Sequence, residues 1–520
     1  MKSRVALVSL LWAGTTLLSR LIGLVRDSVL GHVLGVSPEA DAYTAAFRIP
    51  DWFSTLLAGG TLSVVFIPIF TAYLARNEEE RASRSLNNLL NVLGVVLVVV
   101  GAGFWITTPW LVGRLAPGFD EPQLALLAHL TRIVLPGQLF HILGALLSAS
   151  LLAREQHTIP AVAPLLYTVC VILGGVIGGS AEGFAWGVLV GAFVGPFLLP
   201  LVFTIRAGLR WTPSIDLRDA DLRVTAVRFV AVMLGGSMLV LDDTWLTHFA
   251  SAMTDGSVAI LGYAKTLMKA PMGIFGSAVG FATYPALTRL ANEGKLAELY
   301  ASSTLATRRV LVLALLSQVG VSVAAPEIGT LVYGPARIAP ERMEELGLCL
   351  LVFAAALGPW SAQILLSRAF YAQGKGWVPA RLGLVIMVLF WPVYGLLGDT
   401  FGPPGLAAAS SLAVTASVVA LQVALRRGSG GTAGYGDLLP KLVGITVLAI
   451  VVTLLVRGLL PPPRYTRLDA AWRLVVLGGL GGAVFLAAGW VVRLPDLREA
   501  LGPILRRLPG RRAPAGPPAG

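Results

Sequence analysis

The fold is decided by the stretch LNNLLNVLGVVLVVVGAGFWITTPWLV, residues 86–112. It has no charged side chain and exceeds the about 20 apolar residues that an α-helix needs to cross a hydrocarbon core of about 30 Å. Similar stretches recur along the 520 residues, which are 56% hydrophobic and only 13% charged, with a mean hydropathy of +0.77. We count roughly fourteen of them. The sequence therefore predicts an all-α polytopic membrane protein.

The polar intervals between these stretches divide the chain. Residues 209–223 are predicted to be a cytoplasmic linker between an N-terminal lobe, 1–208, and a C-terminal lobe, 224–427. Two further helices are expected within 428–493, and the Pro/Gly/Arg-rich segment 494–520 is expected to be a disordered basic cytoplasmic tail. Helices are predicted over residues 5–34, 44–74, 86–112, 125–153, 158–180, 183–205, 225–252, 258–288, 306–326, 346–372, 378–399, 404–426, 438–459 and 470–493.

A weak internal repeat favours this division into two lobes. The segment LLSASLLAREQHTIPA, 146–161, shares LLS and a terminal Pro-Ala with LLSRAFYAQGKGWVPA, 365–380. Transporters built from such repeats bind their substrate between the repeats, near the midplane of the bilayer. We therefore expect two pseudo-symmetric lobes around a central cavity.

Positive charge marks the predicted cytoplasmic side. The net charge is +12, but the basic residues lie mostly in short loops between apolar stretches, so the charge indicates topology and not a nucleic-acid partner. The positive-inside rule places both termini in the cytoplasm. The first apolar stretch is interpreted as a retained helix and not as a signal peptide.

The sequence gives little support to an enzyme. The two cysteines, Cys170 and Cys349, lie in apolar stretches without a Cys/His ligand spacing, and the five histidines are scattered. No G-x-x-x-x-G-K-[ST] loop is present. We expect a transporter that neither binds a catalytic metal nor hydrolyses ATP.

The first predicted helix carries charge inside the bilayer. Arg20, Arg26 and Asp27 interrupt an apolar span, where each central charge costs about 2.5 to 3.5 kcal/mol. Residues seven apart, such as Arg20 and Asp27, share a helical stripe that can face a water-filled interior. The alternatives are a structural ion pair of either arginine with Asp27 or Asp41, or snorkelling towards a helix end.

Two lysines in a later helix add further positive charge. Lys265 and Lys269 are four residues apart and share a face, so holding both charged requires an anion or nearby acids. Asp242 and Asp243 could supply the acids, and structural salt bridges explain the lysines as well as an anion site does. Because the interior holds more Arg and Lys than acids, and Arg matches phosphate oxygens bidentately, the predicted cargo has an anionic head group.

Several motifs resemble one family of transporters. The opening SRLIGLVRDSVLGHVLG (19–35), followed by DAYTAAFRIP (41–50), resembles that of the MurJ (MviN) lipid II flippases, which belong to the MOP exporter superfamily. The later motifs keep the family's order, and they are LAPGFD (115–120), LTRIVLP (130–136), FAWGVLVG (184–191), GYAKTLMKAPMGIFG (262–276) and LLSRAFYAQGKGWVPA (365–380).

The resemblance implies a flippase of the bacterial inner membrane that moves lipid II, an undecaprenyl-diphosphate-linked peptidoglycan precursor, to the outer leaflet by alternating access. It also implies proteins of peptidoglycan synthesis as candidate partners. The family's cavity residues carry over at Arg20, Arg26 and Asp41 as substrate contacts. Asp243, with Asp242 beside it, lies near a seventh-helix acid that looks like part of a sodium site, so Na⁺ or H⁺ is the candidate coupling cation and no other cofactor is expected.

The chain also departs from the family pattern. Ser54 and Thr55 stand where the family usually has an Arg pair, and Lys265 with Thr266 replaces a common Asp-Arg. Lys265 and Lys269 restore positive charge as predicted substrate contacts, but lysine lacks the planar fork of arginine. The alternatives are a flippase for another polyprenyl-linked glycan, a cation-coupled multidrug exporter of the MATE type, and a membrane scaffold that does not transport.

Overall fold

The structure is a computed structural model that describes residues 2–57, 62–209, 211–219, 221–223, 237–334, 337–430, 434–497 and 499. All regular secondary structure within these ranges is helical. One segment, Phe193–Leu198, is π-helical. The helices are α1 (Lys2–Val33), α2 (Pro38–Ala45), α3 (Arg48–Leu57), α4 (Leu62–Ala75), α5 (Glu79–Leu115), α6 (Glu121–Val134), α7 (Gly137–Ala153), α8 (Thr158–Gly178), α9 (Ala181–Ala192), α10 (Leu199–Arg206), α11 (Ser237–Ala250), α12 (Ser257–Asn292), α13 (Leu296–Val323), α14 (Ala325–Tyr333), α15 (Pro340–Ala354), α16 (Leu357–Ala372), α17 (Trp377–Ser429), α18 (Leu439–Leu459) and α19 (Arg467–Val491).

Several helical segments have the length and composition of membrane spans. In the described part of the chain, eight helical segments can cross a membrane, or nine if α15 and α16, which meet at a bend of 44°, form one span. Each predicted helix overlaps an observed one, and the prediction of an all-α multi-pass membrane protein is confirmed. The count of fourteen spans stays a prediction.

Helix α17 contains two of the predicted helices, 378–399 and 404–426. Its 53 residues would form a rod about 80 Å long, far more than a hydrocarbon core of about 30 Å can hold. Gly402 interrupts the helix with φ 64° and ψ −148°, in the region of positive φ that favours glycine. The predicted boundary between the two helices therefore lies at this glycine.

Two stretches differ from the sequence prediction. The predicted helix 44–74 is observed as the end of α2 followed by α3 and α4. Helix α2 begins earlier than predicted, directly after Ser37, whose side chain accepts a hydrogen bond from the N–H of Ala40 over 3.2 Å. Helix α13 begins at Leu296 and not at residue 306. Its first turns are polar, so hydropathy alone does not detect them.

The helices form two compact units, each made of three stretches of chain. The units interleave along the sequence, whereas the predicted lobes and the linker between them are consecutive. The lobe boundaries stay a prediction. Unit 1 comprises residues 1–263, 329–346 and 376–410, and unit 2 comprises residues 264–328, 347–375 and 411–520.

Unit 1 is held together by close contacts between helix backbones. Helix α1 packs against α8, and α8 packs against α9. Gly174 and Gly178 of α8 face Gly183 and Gly187 of α9, and a Cβ atom at Gly187 would lie 2.8 Å from the carbonyl oxygen of Cys170. Small residues allow such close packing where lipid supplies no hydrophobic force between helices. This packing fixes α1, which carries the first candidate site residues.

Unit 2 is built around α13, which packs against α16, α18 and α19. Its core includes Leu315 and Val319 of α13 and Phe485 of α19. Leu494 and Leu497 are buried in the same core, although residue 494 was predicted to begin a disordered tail. Residues Leu494 and Leu497 therefore belong to the core of unit 2. Residues 498 and 500–520 of the predicted tail lie outside the described residues.

Candidate functional site

Helix α1 carries an ion pair between sequence neighbours. Arg26 donates from Nε and Nη2 to Oδ1 of Asp27 over 3.0 and 2.7 Å. Such a pair is one of the alternatives to a cavity role that the sequence leaves open. The Arg26 side chain remains 35% exposed while that of Asp27 is 11% exposed. Asp27 therefore orients the guanidinium and leaves part of its surface accessible.

Arg20 lies six residues before Arg26 on α1, and its side chain is exposed. At 3.6 residues per turn, six residues bring two side chains about 120° apart around a helix. The two arginines therefore project from α1 in different directions. The structure therefore places both arginines on one helix but on different faces of it.

Asp41 closes the start of helix α12. Its Oδ2 accepts the N–H of Gly256 over 2.6 Å, and its Oδ1 accepts the N–H of Ala259 over 2.7 Å. The side chain is buried. A carboxylate at a helix N-terminus satisfies N–H groups that lack intrahelical partners and interacts favourably with the helix dipole. This placement gives Asp41 a structural role, whereas the resemblance implied a substrate contact.

Asp242 on α11 is buried between hydroxyl groups of α17. The hydroxyl of Tyr394 donates a short hydrogen bond to Oδ1, and the hydroxyl of Ser410 donates to Oδ2 over 3.0 Å. Tyr394 lies before the break at Gly402, and Ser410 lies after it. The carboxylate thus links α11 to both parts of α17, so a change in its hydrogen bonds affects all three segments.

Asp243, the next residue, takes a different kind of partner. Nη1 of Arg48 on α3 lies 3.7 Å from Oδ2 of Asp243, and Nε of Arg48 donates to the hydroxyl of Thr247 over 2.9 Å. Trp52 adds a hydrogen bond from Nε1 to the hydroxyl of Thr244 over 2.8 Å. The two adjacent acids therefore contact different groups, hydroxyl groups in the case of Asp242 and a guanidinium in the case of Asp243.

Lys265 and Lys269 lie on α12, in unit 2. The Lys265 side chain is buried, and its ammonium lies 5.7 Å from the ring centroid of Trp360, a cation–π contact. Lys269 is half-buried. The aromatic contact supplies part of the stabilisation of the buried ammonium of Lys265 that was expected from nearby acids.

The MurJ family model, described as lipid II flippase MurJ, matches residues 30–467. The chain belongs to this family. The probable lipid II flippase MurJ of Rickettsia prowazekii (strain Madrid E) is 24% identical to it over 403 residues, which cover 76% of this chain and 79% of the relative. The probable lipid II flippase MurJ of Rhizobium tropici is 27% identical over 431 residues, which cover 80% and 79%.

A solved structure of a MurJ flippase and one of a transporter of the MOP superfamily share the fold. A lipid II flippase MurJ in an inward closed conformation matches with a TM-score of 0.76 and 19% identity, over 93% of this chain and 98% of that one. An inward-facing multidrug resistance MATE transporter of the MOP superfamily matches with a TM-score of 0.64 and 16% identity, over 79% and 94%. The predicted family and fold class are confirmed, and at these identities the structures show the fold alone.

Sequence reasoning missed most of the partners in this MurJ-family chain. Tyr394 and Ser410 are hydroxyl-bearing residues in apolar spans, a signal that marks them as unusual but does not reveal their partner. Trp360 gave no signal beyond its aromatic character. Among the described residues, no three His, Cys, Asp or Glu side chains group closely enough to hold a metal ion.

Proposed function

We propose that the chain is a flippase that moves lipid II from the cytoplasmic to the outer leaflet by alternating access. The observation that carries this proposal is the family match over residues 30–467. The chain also aligns with most of the length of relatives that are named as probable lipid II flippases. The likeness to multidrug transporters, at 16% identity, extends to the fold only. It therefore gives the multidrug alternative less support.

Arg26 is the residue best placed to contact the diphosphate of such a lipid. A guanidinium has five N–H donors, and Asp27 receives hydrogen bonds from two nitrogen atoms of Arg26. The remaining donors and the exposed third of the side chain can meet phosphate oxygens in the planar geometry that favours arginine. Arg20, Lys265 and Lys269 are further proposed contacts for the anionic head group.

The test is complementation of a bacterial strain depleted of its own lipid II flippase. The unchanged chain should restore growth, and lipid II should stop accumulating in the inner leaflet. Arg26→Ala should abolish both effects at normal expression, and Arg26→Lys should restore them in part. Arg81→Ala is the matched control, because Arg81 is exposed at the start of α5 and pairs with Glu78. Growth on Arg26→Ala equal to that on Arg81→Ala would exclude the arginine from the mechanism.

We further propose that Asp242 couples transport to a cation, either Na⁺ or H⁺. The carboxylate and the hydroxyl oxygens of Tyr394 and Ser410 are hard ligands. Protonation of one carboxylate oxygen would turn it from an acceptor into a donor, and would disturb the hydrogen bond of the hydroxyl group that it faces. Either event changes the bonds between α11 and α17. Coupling to a charge that crosses the membrane potential is worth about 2.3 kcal/mol per 100 mV.

Reconstituted vesicles can separate these two cations. Lipid II movement should depend on a Na⁺ gradient or on a pH gradient in the unchanged chain, and Asp242→Asn should remove that dependence. Ser410→Ala, which removes one hydroxyl partner, should weaken it. An Asp242→Asn variant that retains the full dependence would reject Asp242 as the coupling residue.

A further inference from the structure

The predicted linker between α10 and α11 is not a loose loop. Its residues 211–219, here called the strap, run along helix α5 with little regular structure. Nδ2 of Asn91 donates to the carbonyl oxygen of Thr212 over 2.6 Å. Asn88 exchanges two hydrogen bonds with the backbone of Asp216, over 2.9 and 2.8 Å. Because Asn88 and Asn91 are three residues apart, they share one face of α5 and hold the strap along it.

The acids of this region accept hydrogen bonds from the protein's own donors. Asp216 and Asp219 each accept a backbone N–H from a residue two or three positions further on, over 2.8 and 3.0 Å. Asp221 accepts the hydroxyl of Tyr73 over 2.8 Å. Their negative charge is therefore partly satisfied by hydrogen bonds within the protein.

Three arginines lie on the strap or flank it. Arg206, Arg218 and Arg223 have exposed side chains. None of the three forms an ion pair with any residue that the structure describes. The surface around the strap thus exposes three guanidinium groups, next to the exposed Asp216.

The strap also exposes apolar side chains at alternate positions. Trp211, Ile215 and Leu217 are 64, 52 and 69% exposed. The backbone groups that bond to α5 belong to the even-numbered residues between them. Nε1 of Trp211 donates to Oδ1 of Asn91 over 3.0 Å, which fixes the indole while its ring stays exposed. The result is an amphipathic segment with a fixed apolar edge.

The strap lies at the end of the apolar surface that the neighbouring helices α10 and α5 expose. Helix α10 belongs to a candidate span that ends at Arg206, five residues before Trp211. On α5 the exposed valines begin with Val95, four residues after Asn91, or about 6 Å along the helix axis. Tryptophan and arginine at this depth are typical of the headgroup region.

We propose that the strap binds anionic phospholipid headgroups at the membrane surface. The three arginines contact the lipid phosphates, and Trp211, Ile215 and Leu217 enter the boundary between headgroups and acyl chains. The charge complementarity and the position beside the apolar band select a lipid surface over a protein partner. This inference does not rest on the flippase function.

The test uses the full chain with Cys170 and Cys349 replaced by alanine and a single fluorescent label at Ile215→Cys. Purified protein is reconstituted in phosphatidylcholine vesicles with or without phosphatidylglycerol, each containing a headgroup nitroxide quencher. A label at Glu80→Cys, an exposed site eleven residues before Asn91 on α5, is the matched control. Monodisperse elution before reconstitution establishes that each variant is folded.

Quenching at Ile215→Cys should exceed that at Glu80→Cys and should increase with phosphatidylglycerol. Adding Arg218→Gln should weaken the response to phosphatidylglycerol about fivefold, the equivalent of about 1 kcal/mol for one arginine near an anionic surface. Equal quenching at both labels would overturn the proposal. Quenching at Ile215→Cys that does not change with phosphatidylglycerol would reject the binding of anionic headgroups. Quenching that changes with the density of protein in the vesicles would show a contact between copies of the chain instead.

Discussion

Replacing Arg308 by glutamine should loosen the attachment of the last two helices to α13. Arg308 forms two hydrogen bonds of 2.7 Å with the carboxylate of Asp437 and two of 2.9 Å with that of Asp496. Nη1 also donates to the carbonyl oxygen of Gly434 over 3.0 Å. All five N–H donors are thus used. Because Asp437 precedes α18 and Asp496 follows α19, one side chain joins three segments of unit 2.

Asp496 determines the size of the effect because its side chain is only 6% exposed. Removing one partner of a buried ion pair costs about 3 to 5 kcal/mol, since the other charge is left uncompensated. The Arg308 side chain is itself 18% exposed, so we expect a loss of about 3 kcal/mol of unfolding free energy, at the lower end of that range. Asp437 is mostly exposed, and Asp437→Asn should cost much less.

The assay is reversible denaturation of the purified chain in mixed micelles, with amide hydrogen exchange near the two acids as the local readout. The double variant Arg308→Gln/Asp496→Asn should recover much of the loss, because it also removes the uncompensated charge. Arg309→Gln is the matched control, since Arg309 pairs with an exposed glutamate. The reasoning is refuted if Arg308→Gln is as stable as Arg309→Gln, or if the double variant is no more stable than Arg308→Gln.

Three other changes test the helix packing, the helix cap and the acid stability. Gly187→Leu should prevent recovery of monodisperse protein in size-exclusion chromatography, because the side chain would meet the α8 backbone, whereas Gly444→Ala meets no atom within 4 Å and should be tolerated. Asp41→Asn should lower the free energy of unfolding by about 1 kcal/mol and leave transport per folded molecule unchanged; a transport defect at full stability would show a substrate contact instead. Hydrogen bonds from Arg308 lower the pKa of Asp437 from its usual 3.8 to about 2, so its stabilising contribution should be complete above about pH 4 and lost as the pH falls towards 2. Asp437→Asn should remove this acid-dependent part from a pH titration of stability.

The membrane spans could be predicted from sequence because their signal is local. The apolar stretch 86–112 lies within α5, and the prediction 438–459 differs from α18 by one residue. Parts of helices outside the bilayer have no such signal. The first turns of α13 are polar, and α2 depends on a serine cap that hydropathy does not measure. The strap could not be predicted as a fixed element because asparagines on another segment hold it.

The charged positions of the candidate site could also be found from sequence, since ionisable residues stand out in apolar spans. Their partners could not. Asp41 bonds to backbone N–H groups of Gly256 and Ala259, and every residue except proline carries such a donor. Asp242 bonds to hydroxyl groups more than 150 residues away, which no spacing rule connects to it. Long-range pairing of this kind is a property of the folded chain.

The contacts also decide which intramembrane charges favour an anionic cargo. Asp27 and Asp41 each bind a donor of the protein itself, a guanidinium in one case and two backbone N–H groups in the other. Arg26 differs from these acids because its pairing leaves donors and a third of its surface accessible. A carboxylate that stabilises the fold says nothing about the cargo, whereas an oriented and accessible guanidinium attracts phosphate. Arg26 therefore favours an anionic head group more directly than an excess of basic over acidic residues does.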